Sequence, residues 1–448
     1  MKKVIASAGL LALGAVGIQS ALAQGLEAGQ GKPWSVTGTF RGFYDDNYAT
    51  APSGPSRHGS FGLQVSPAVY LNTSPGQTTI TASYAYSLLY FGDRPGNHFD
   101  QGHDFELFVN HNFNANFSLT LNDGFVIAQD PQLLSGSAAI AFPLRANGDN
   151  IRNAATISLR GQLTPIFSMV FSYGNTFYDF QQNYGNEPIA LKGTPSYSAL
   201  LDRMEHVATL EAHWQPWQET TAILGYAFGA VDYLSKESVS PSIFPFAIQQ
   251  IIGYPGPADA FEYVNPNTRN NYTHAFYVGL THNFRSDLTG AVRAGVQYAD
   301  YYNAPAGNPG HALSPYASLN LSYTYTDGGV LSLGFSHARN QTDLAAAGPL
   351  VTEDEESSVV YLTVNQSLKA VSPNLSAGLN LQFQNSDIHG GPFQGRTENM
   401  FLLGLDFNYR FNQFLSADLG YNYDLLSSGI VGRSYDRNRV YLGLTANY

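Results

Sequence analysis

Residues 397–448 read TENMFLLGLDFNYRF (397–411), NQ (412–413), FLSADLGYNYDLLSS (414–428), GIVGR (429–433) and SYDRNRVYLGLTANY (434–448). In the first segment Phe401, Leu403, Leu405, Phe407, Tyr409 and Phe411 share one parity, against Gly404, Asp406, Asn408 and Arg410. The second sets Leu415, Ala417, Leu419, Tyr421, Tyr423 and Leu425 against Ser416, Asp418, Gly420, Asn422 and Asp424. The third sets Val440, Leu442, Leu444, Ala446 and Tyr448 against Arg437, Arg439, Tyr441, Gly443, Thr445 and Asn447. Alternation with a period of two is the mark of an extended strand, whose successive side chains point to opposite faces. A globular strand runs to about six residues, whereas a strand tilted across a bilayer needs about 9 to 11. The polar face here is small and uncharged for the most part, and the apolar face turns aromatic near its ends. Such strands fit a transmembrane β-barrel, with apolar side chains toward lipid and polar ones toward a wet lumen.

The rest of the chain repeats this rhythm. Candidate strands include Ser35–Asp46, His58–Leu71, Gln77–Phe91, Glu205–Trp214, Trp217–Leu234 and Asp287–Asp300, giving about 18 in all. Sixteen is the alternative if a weak hairpin such as Ser35–Leu71 is misread. Turns of about two to seven residues alternate strictly with loops of about five to 36, the asymmetry of short periplasmic turns and long extracellular loops. The expected fold is therefore all-β, an antiparallel up-and-down barrel that fills residues 35–448 as one domain.

Lys2 and Lys3 precede an apolar run from Val4 to Ile18, and Ala21, Leu22 and Ala23 form a small-residue cleavage site. This predicts a secretory signal peptide over residues 1–23 and a periplasmic segment over 24–34. No later run of 18 apolar residues occurs, so helical spans are not expected. Charged residues make up 12% of the chain and aromatics 13%. Soluble domains carry about 25% charged residues, so much of this surface faces something other than water.

The absence of cysteine excludes disulfides and thiolate chemistry. Net charge is −12; losing Lys2 and Lys3 with the signal leaves 20 basic against 34 acidic residues, or −14. That balance excludes nucleic acid as a partner, because a phosphate backbone demands a basic face. An acidic lumen or loop favours cations.

Among the histidines, His206, His213, His274, His282 and His337 fall in expected strands, where they read as residues near an interface. There is no GxSxG elbow and no HExxH, and no catalytic residue is assigned. Thr352–Glu356, TEDEE, is the densest acidic run; it lacks calcium-loop spacing and reads as a solvated loop. No metal or cofactor is expected. Arg41, Arg160, Arg293, Arg410, Arg437 and Arg439 fall on the inward parity, since a cation on the lipid face costs about 2 to 4 kcal/mol at mid-depth. With Asp406, Asp418 and Asp424 they are the candidates either for a charged constriction that selects solutes across a transverse field or for a structural network that braces the inner wall. The loop Ser235–Asn270, with Phe244, Pro245, Phe246 and Pro255, is the candidate for folding inward, with an external lid or adhesive loop as the alternative.

The last segment, with Val440, Leu442 and Leu444 alternating toward a terminal Tyr448, looks like the C-terminal assembly signal of outer-membrane proteins. SYDRNRVYLGLTANY also resembles the family described as putative β-barrel porin 2. The resemblance implies a cell outer membrane location in a Gram-negative bacterium, assembly-machinery and lipid partners, and a channel for passive diffusion of small hydrophilic solutes or ions. Porins commonly form homotrimers, which is one expected assembly. Two other readings stay open: an exopolysaccharide export conduit, and a surface binding or structural barrel closed by its loops. A sugar conduit needs inward aromatics, and most Tyr here read as outward.

Overall fold

The computed structural model describes residues 32–128, 149–183, 196–237, 265–342, 344 and 352–448. The signal segment 1–23, Phe244, Pro245, Phe246 and Pro255 lie outside them.

Eighteen strands form one antiparallel sheet in which each pairs with its sequence neighbours. On the N-terminal half these are β1 (Trp34–Asp45), β2 (Ser60–Thr73), β3 (Thr78–Phe91), β4 (Phe99–Asn112), β5 (Phe117–Ala128) and β6 (Asn150–Thr164). There follow β7 (Phe167–Phe180), β8 (Arg203–Trp217), β9 (Thr220–Tyr233), β10 (Asn271–Arg285), β11 (Leu288–Asp300) and β12 (His311–Thr326). The last are β13 (Gly329–Asn340), β14 (Asp354–Ser367), β15 (Leu375–His389), β16 (Thr397–Asn412), β17 (Leu415–Ser428) and β18 (Tyr435–Asn447). Pairing of β1 with β18, from Thr37↔Asn447 to Asp45↔Arg439, closes the barrel. The hairpin within Ser35–Leu71 is thus real, and sixteen strands are excluded.

Closure leaves neither the first nor the last strand without a partner, as an apolar solvent requires because it can satisfy no backbone group. The two faces separate as the alternation demands. Along β1, Trp34, Val36 and Phe40 are 42%, 39% and 53% exposed, whereas Ser35 and Asp45 between and beyond them are 4% and 1%. Large apolar side chains therefore cover the outside and polar ones are packed within. One end carries only short connections, such as 165–166, 286–287 and 413–414; the other carries the long ones, such as 46–59 and 234–270. Around the short-turn end Phe113, Phe117, Trp214, Trp217, Phe284, Phe411 and Phe414 are all exposed, an aromatic girdle of the kind that sits at a membrane–water boundary. There Trp34 lies 6.1 Å from Tyr448, with the Lys32 ammonium 4.0 Å above the Tyr448 ring.

The expected turn at Gln215–Pro216 is displaced. Strand β8 runs on to Trp217, with a register shift between Trp214 and Trp217 and the turn at Gln218–Glu219. Proline cannot donate to the ladder, so it sits where the pairing is already irregular.

Candidate functional site

The inward charges form clusters fixed by strand register. Arg41 on β1 and Asp418 on β17 both stand level with Gly443 of β18, the strand between them. Arg41 Nε reaches Asp418 Oδ2 at 2.7 Å across that strand. A Cβ at Gly443 would lie 2.5 Å from Arg41 Cγ and 2.7 Å from Asp418 Oδ1, so the bridge needs glycine beneath it. Arg41 also stacks 4.8 Å above the Tyr441 ring. Asp406 on β16 stands level with Gly420 of β17 and, among the described residues, carries no ion pair of its own.

Nearer the loop end of the same wall, Arg437 Nε lies 3.0 Å from Asp45 Oδ2 and 4.0 Å from Asp424 Oδ2. Arg437, Asp45 and Asp424 are all buried. Arg439 approaches Asp45 at 4.0 Å.

Half the ring away, Glu211 on β8 collects three partners. Tyr277 of β10 donates to Oε1 at 2.9 Å, Arg293 Nε of β11 lies 3.2 Å from the same oxygen, and His213 Nε2 lies 2.7 Å from Oε2. The Tyr277 ring reaches Glu211 by lying over Gly225 of β9, where a Cβ would meet it at 2.2 Å. Tyr316 packs 5.5 Å from Tyr277.

Seven of the nine expected site charges thus fall in two walls: Arg41, Asp418, Asp406, Asp424, Arg437 and Arg439 in one, Arg293 in the other. Arg160 on β6 stands on the inward face away from both, and Arg410 sits at the short-turn end. Arg41, Arg293, Arg437 and Arg439 approach carboxylates of their own wall, because one to three strands is the span a guanidinium bridges. Glu211, His213, Tyr277 and Asp45 were missed. Outside the two walls, Asp104 and Glu106 on β4 also face inward, and among the described residues no ion pair joins them.

Three of the expected strand histidines point outward and take a hydroxyl neighbour: His206 with Tyr173 at 2.8 Å, His274 with Tyr226 at 2.8 Å, His282 with Thr220 at 2.8 Å. Tyr441 is inward, as its parity predicts, and Tyr70, Tyr277, Tyr316 and Tyr361 are inward as well.

The piece that narrows the lumen is the end of the β13–β14 hairpin. Gln297, on the inward face of β11, accepts from Arg339 N at 3.1 Å and donates to Arg339 O at 3.3 Å. Tyr233 donates to Gln341 Oε1 at 3.1 Å, and Ala338 packs against Ile223, Ala227, Ala275, Tyr277 and Tyr316. The end of β13, with Gln341, therefore lies over the inner face of β9 to β12. TEDEE is consequently no solvated loop: Thr352, Glu353, Asp354 and Glu355 are buried. Arg339 holds Asp354 with contacts of 2.7 and 2.8 Å, and Tyr301 donates to the same carboxylate. Burial, aided by the neighbouring Asp354 charge, lifts Glu353 to about 7. Beside it, the short helix α1 (Tyr197–Leu201) is tied to the mouth by Arg269, which donates to Leu200 O at 2.6 Å and lies 4.0 Å above the Tyr233 ring. Of the expected inward loop Ser235–Asn270, only this flank and 235–237 fall within the described residues.

Residues 351–448 match the family model for putative β-barrel porin 2. That match takes in β14 to β18, including Asp406, Asp418, Asp424, Arg437 and Arg439. No curated protein matches the chain. Among solved structures, Acinetobacter baumannii OccAB4 is similar at 12% identity and a TM-score of 0.42, covering 94% of this chain and 99% of that one. Pseudomonas aeruginosa OccK8 (OprE) gives 10% and 0.43, with 93% and 98% covered. The outer membrane protein OpdK of Pseudomonas aeruginosa gives 12% and 0.41, with 93% and 99% covered.

Proposed function

We propose that the chain is an outer-membrane porin-like channel for passive diffusion of small hydrophilic solutes and ions. The observation that carries this reading is a closed ring of 18 strands with its polar face inward. Eight strands leave an interior that side chains fill, whereas 16 to 18 leave room for water. The inward-lying end of β13 and the buried residues 352–355 reduce that room at the loop end. Asp104, Glu106 and Asp406, which form no ion pair among the described residues, favour cations over anions. The same reading places the protein in the outer membrane of a Gram-negative bacterium, reached after removal of residues 1–23. Assembly there relies on Val440, Leu442, Leu444 and Tyr448, all on the lipid face.

An export conduit for polysaccharide is less well supported. Inward tyrosines are present, but Tyr277 and Tyr316 are buried and Arg41 covers Tyr441, so these do not make an open aromatic track.

Osmotic swelling of proteoliposomes tests the channel. Small neutral sugars and amino acids should enter at rates that fall with solute size. A folded, heat-modifiable barrel that admits none of them would leave the closed structural barrel as the better reading.

A further inference from the structure

The ladder between β12 and β13 is shorter than its neighbours. On one side β12 pairs with β11 along its whole upper length, to Asp300↔His311. On the other it meets β13 only from Ala317↔His337 downward. Above that point β13 leaves for the lumen while staying paired with β14, to Asn340↔Glu355. The stretch His311–Tyr316 is therefore a strand edge within the wall, and Pro315 lies in it, a residue that cannot donate to a missing partner.

Side chains close this gap in place of a ladder. Arg339 Nε donates to Ser314 Oγ at 2.5 Å, and Ser314 Oγ donates to Glu356 Oε2 at 2.8 Å. His337 Nε2 lies 2.9 Å from Glu356 Oε1 and His389 Nε2 lies 3.8 Å from Oε2. Just inside the gap is the apolar cluster Ile223, Ala227, Ala275, Tyr277 and Tyr316, against which Ala338 packs. Just outside it Leu313 is 69% exposed on the lipid face. Backbone pairing would seal two apolar surfaces from each other; a few polar side chains form a closure that can be undone one contact at a time.

We propose that the seam between β12 and β13 is a lateral passage between the lumen and the outer leaflet for small amphipathic molecules, such as medium-chain carboxylic acids. The polar head would exchange partners with Ser314, Arg339 and Glu356, and the apolar body would pass from the Tyr277–Tyr316 cluster to the Leu313 side. The direction outward to the outer leaflet rests on the channel reading above, because that reading sets which end faces outside.

The test uses S314C/E356C, in a chain that otherwise has no cysteine, joined by oxidation or a short bifunctional thiol reagent. A medium-chain fatty acid bearing a diazirine is loaded into the bilayer of proteoliposomes, illuminated, and its adducts are mapped by mass spectrometry. The unlocked barrel should carry adducts both at Leu313 and on the inner Tyr316 and Ala338. Locking should abolish the inner adducts, reduction should restore them, and entry of small sugars should stay unchanged. A T39C/T445C pair, across the fully laddered β1–β18 junction where Thr39 and Thr445 hydroxyls are 2.9 Å apart, should change nothing. Adducts confined to the outer face before locking would overturn the passage. So would inner adducts that survive locking. Loss of sugar entry on locking would instead assign these residues to the main channel and also overturn the proposal, while leaving the channel reading intact.

Discussion

Glu211→Ala is expected to destabilise the folded barrel by about 3 to 5 kcal/mol, the cost of leaving a buried charge without its partner. The reason is local. Glu211 is 1% exposed and its two oxygens serve Tyr277, Arg293 and His213. Alanine would leave the Arg293 guanidinium, itself buried, facing a phenol with no acceptor. Glu211→Gln keeps an acceptor for Tyr277 and should cost less. Unfolding in urea from lipid vesicles, followed by loss of the fast-migrating folded band, measures both. A change in Glu211→Ala below about 0.5 kcal/mol, the range of an ordinary surface substitution, would show that lumen water already screens the cluster.

Arg437→Met should be comparably severe, at about 3 to 5 kcal/mol. It places two buried carboxylates, Asp45 and Asp424, beside a thioether at the junction where the last strand meets the first. Because that junction closes the ring, folding yield should fall along with stability. Adding Asp45→Asn should recover part of the loss, since residues in one ion-pair network do not contribute additively. Simple addition of the two single effects would mean that Arg437 acts by packing alone.

These clusters set the boundary of what could be read from the chain. Parity alone sent Arg41, Asp418, Arg293 and Arg437 inward, because a strand of period two leaves a charge only two directions and lipid rejects one. Which carboxylate each meets depends on the stagger of strands far apart in sequence. Arg41 and Asp418 are joined only because β18 lies between them and offers Gly443. The Glu211 site had a faint signal in LEAHW, where Glu211 and His213 share the polar parity, but its other half is carried by Tyr277 and Arg293 more than sixty residues on. TEDEE misled for the opposite reason. A run of carboxylates is ordinarily solvated, and only the inward turn of the β13–β14 hairpin brings Arg339 and Tyr301 to Asp354. The alternation of short and long connections, by contrast, follows from length and spacing and was legible, while the choice of 18 strands over 16 needed the pairing of β1 with β2 and β18.

Single-channel recording from the refolded mature chain in a planar bilayer, with the reversal potential taken in a salt gradient, tests the central claim most directly. Stable open steps with a cation-selective reversal potential are expected, from a water-filled ring in which Asp104, Glu106 and Asp406 form no ion pair among the described residues. A correctly folded barrel that stays silent at all applied voltages would contradict passive diffusion and make the inward-folded hairpin a plug.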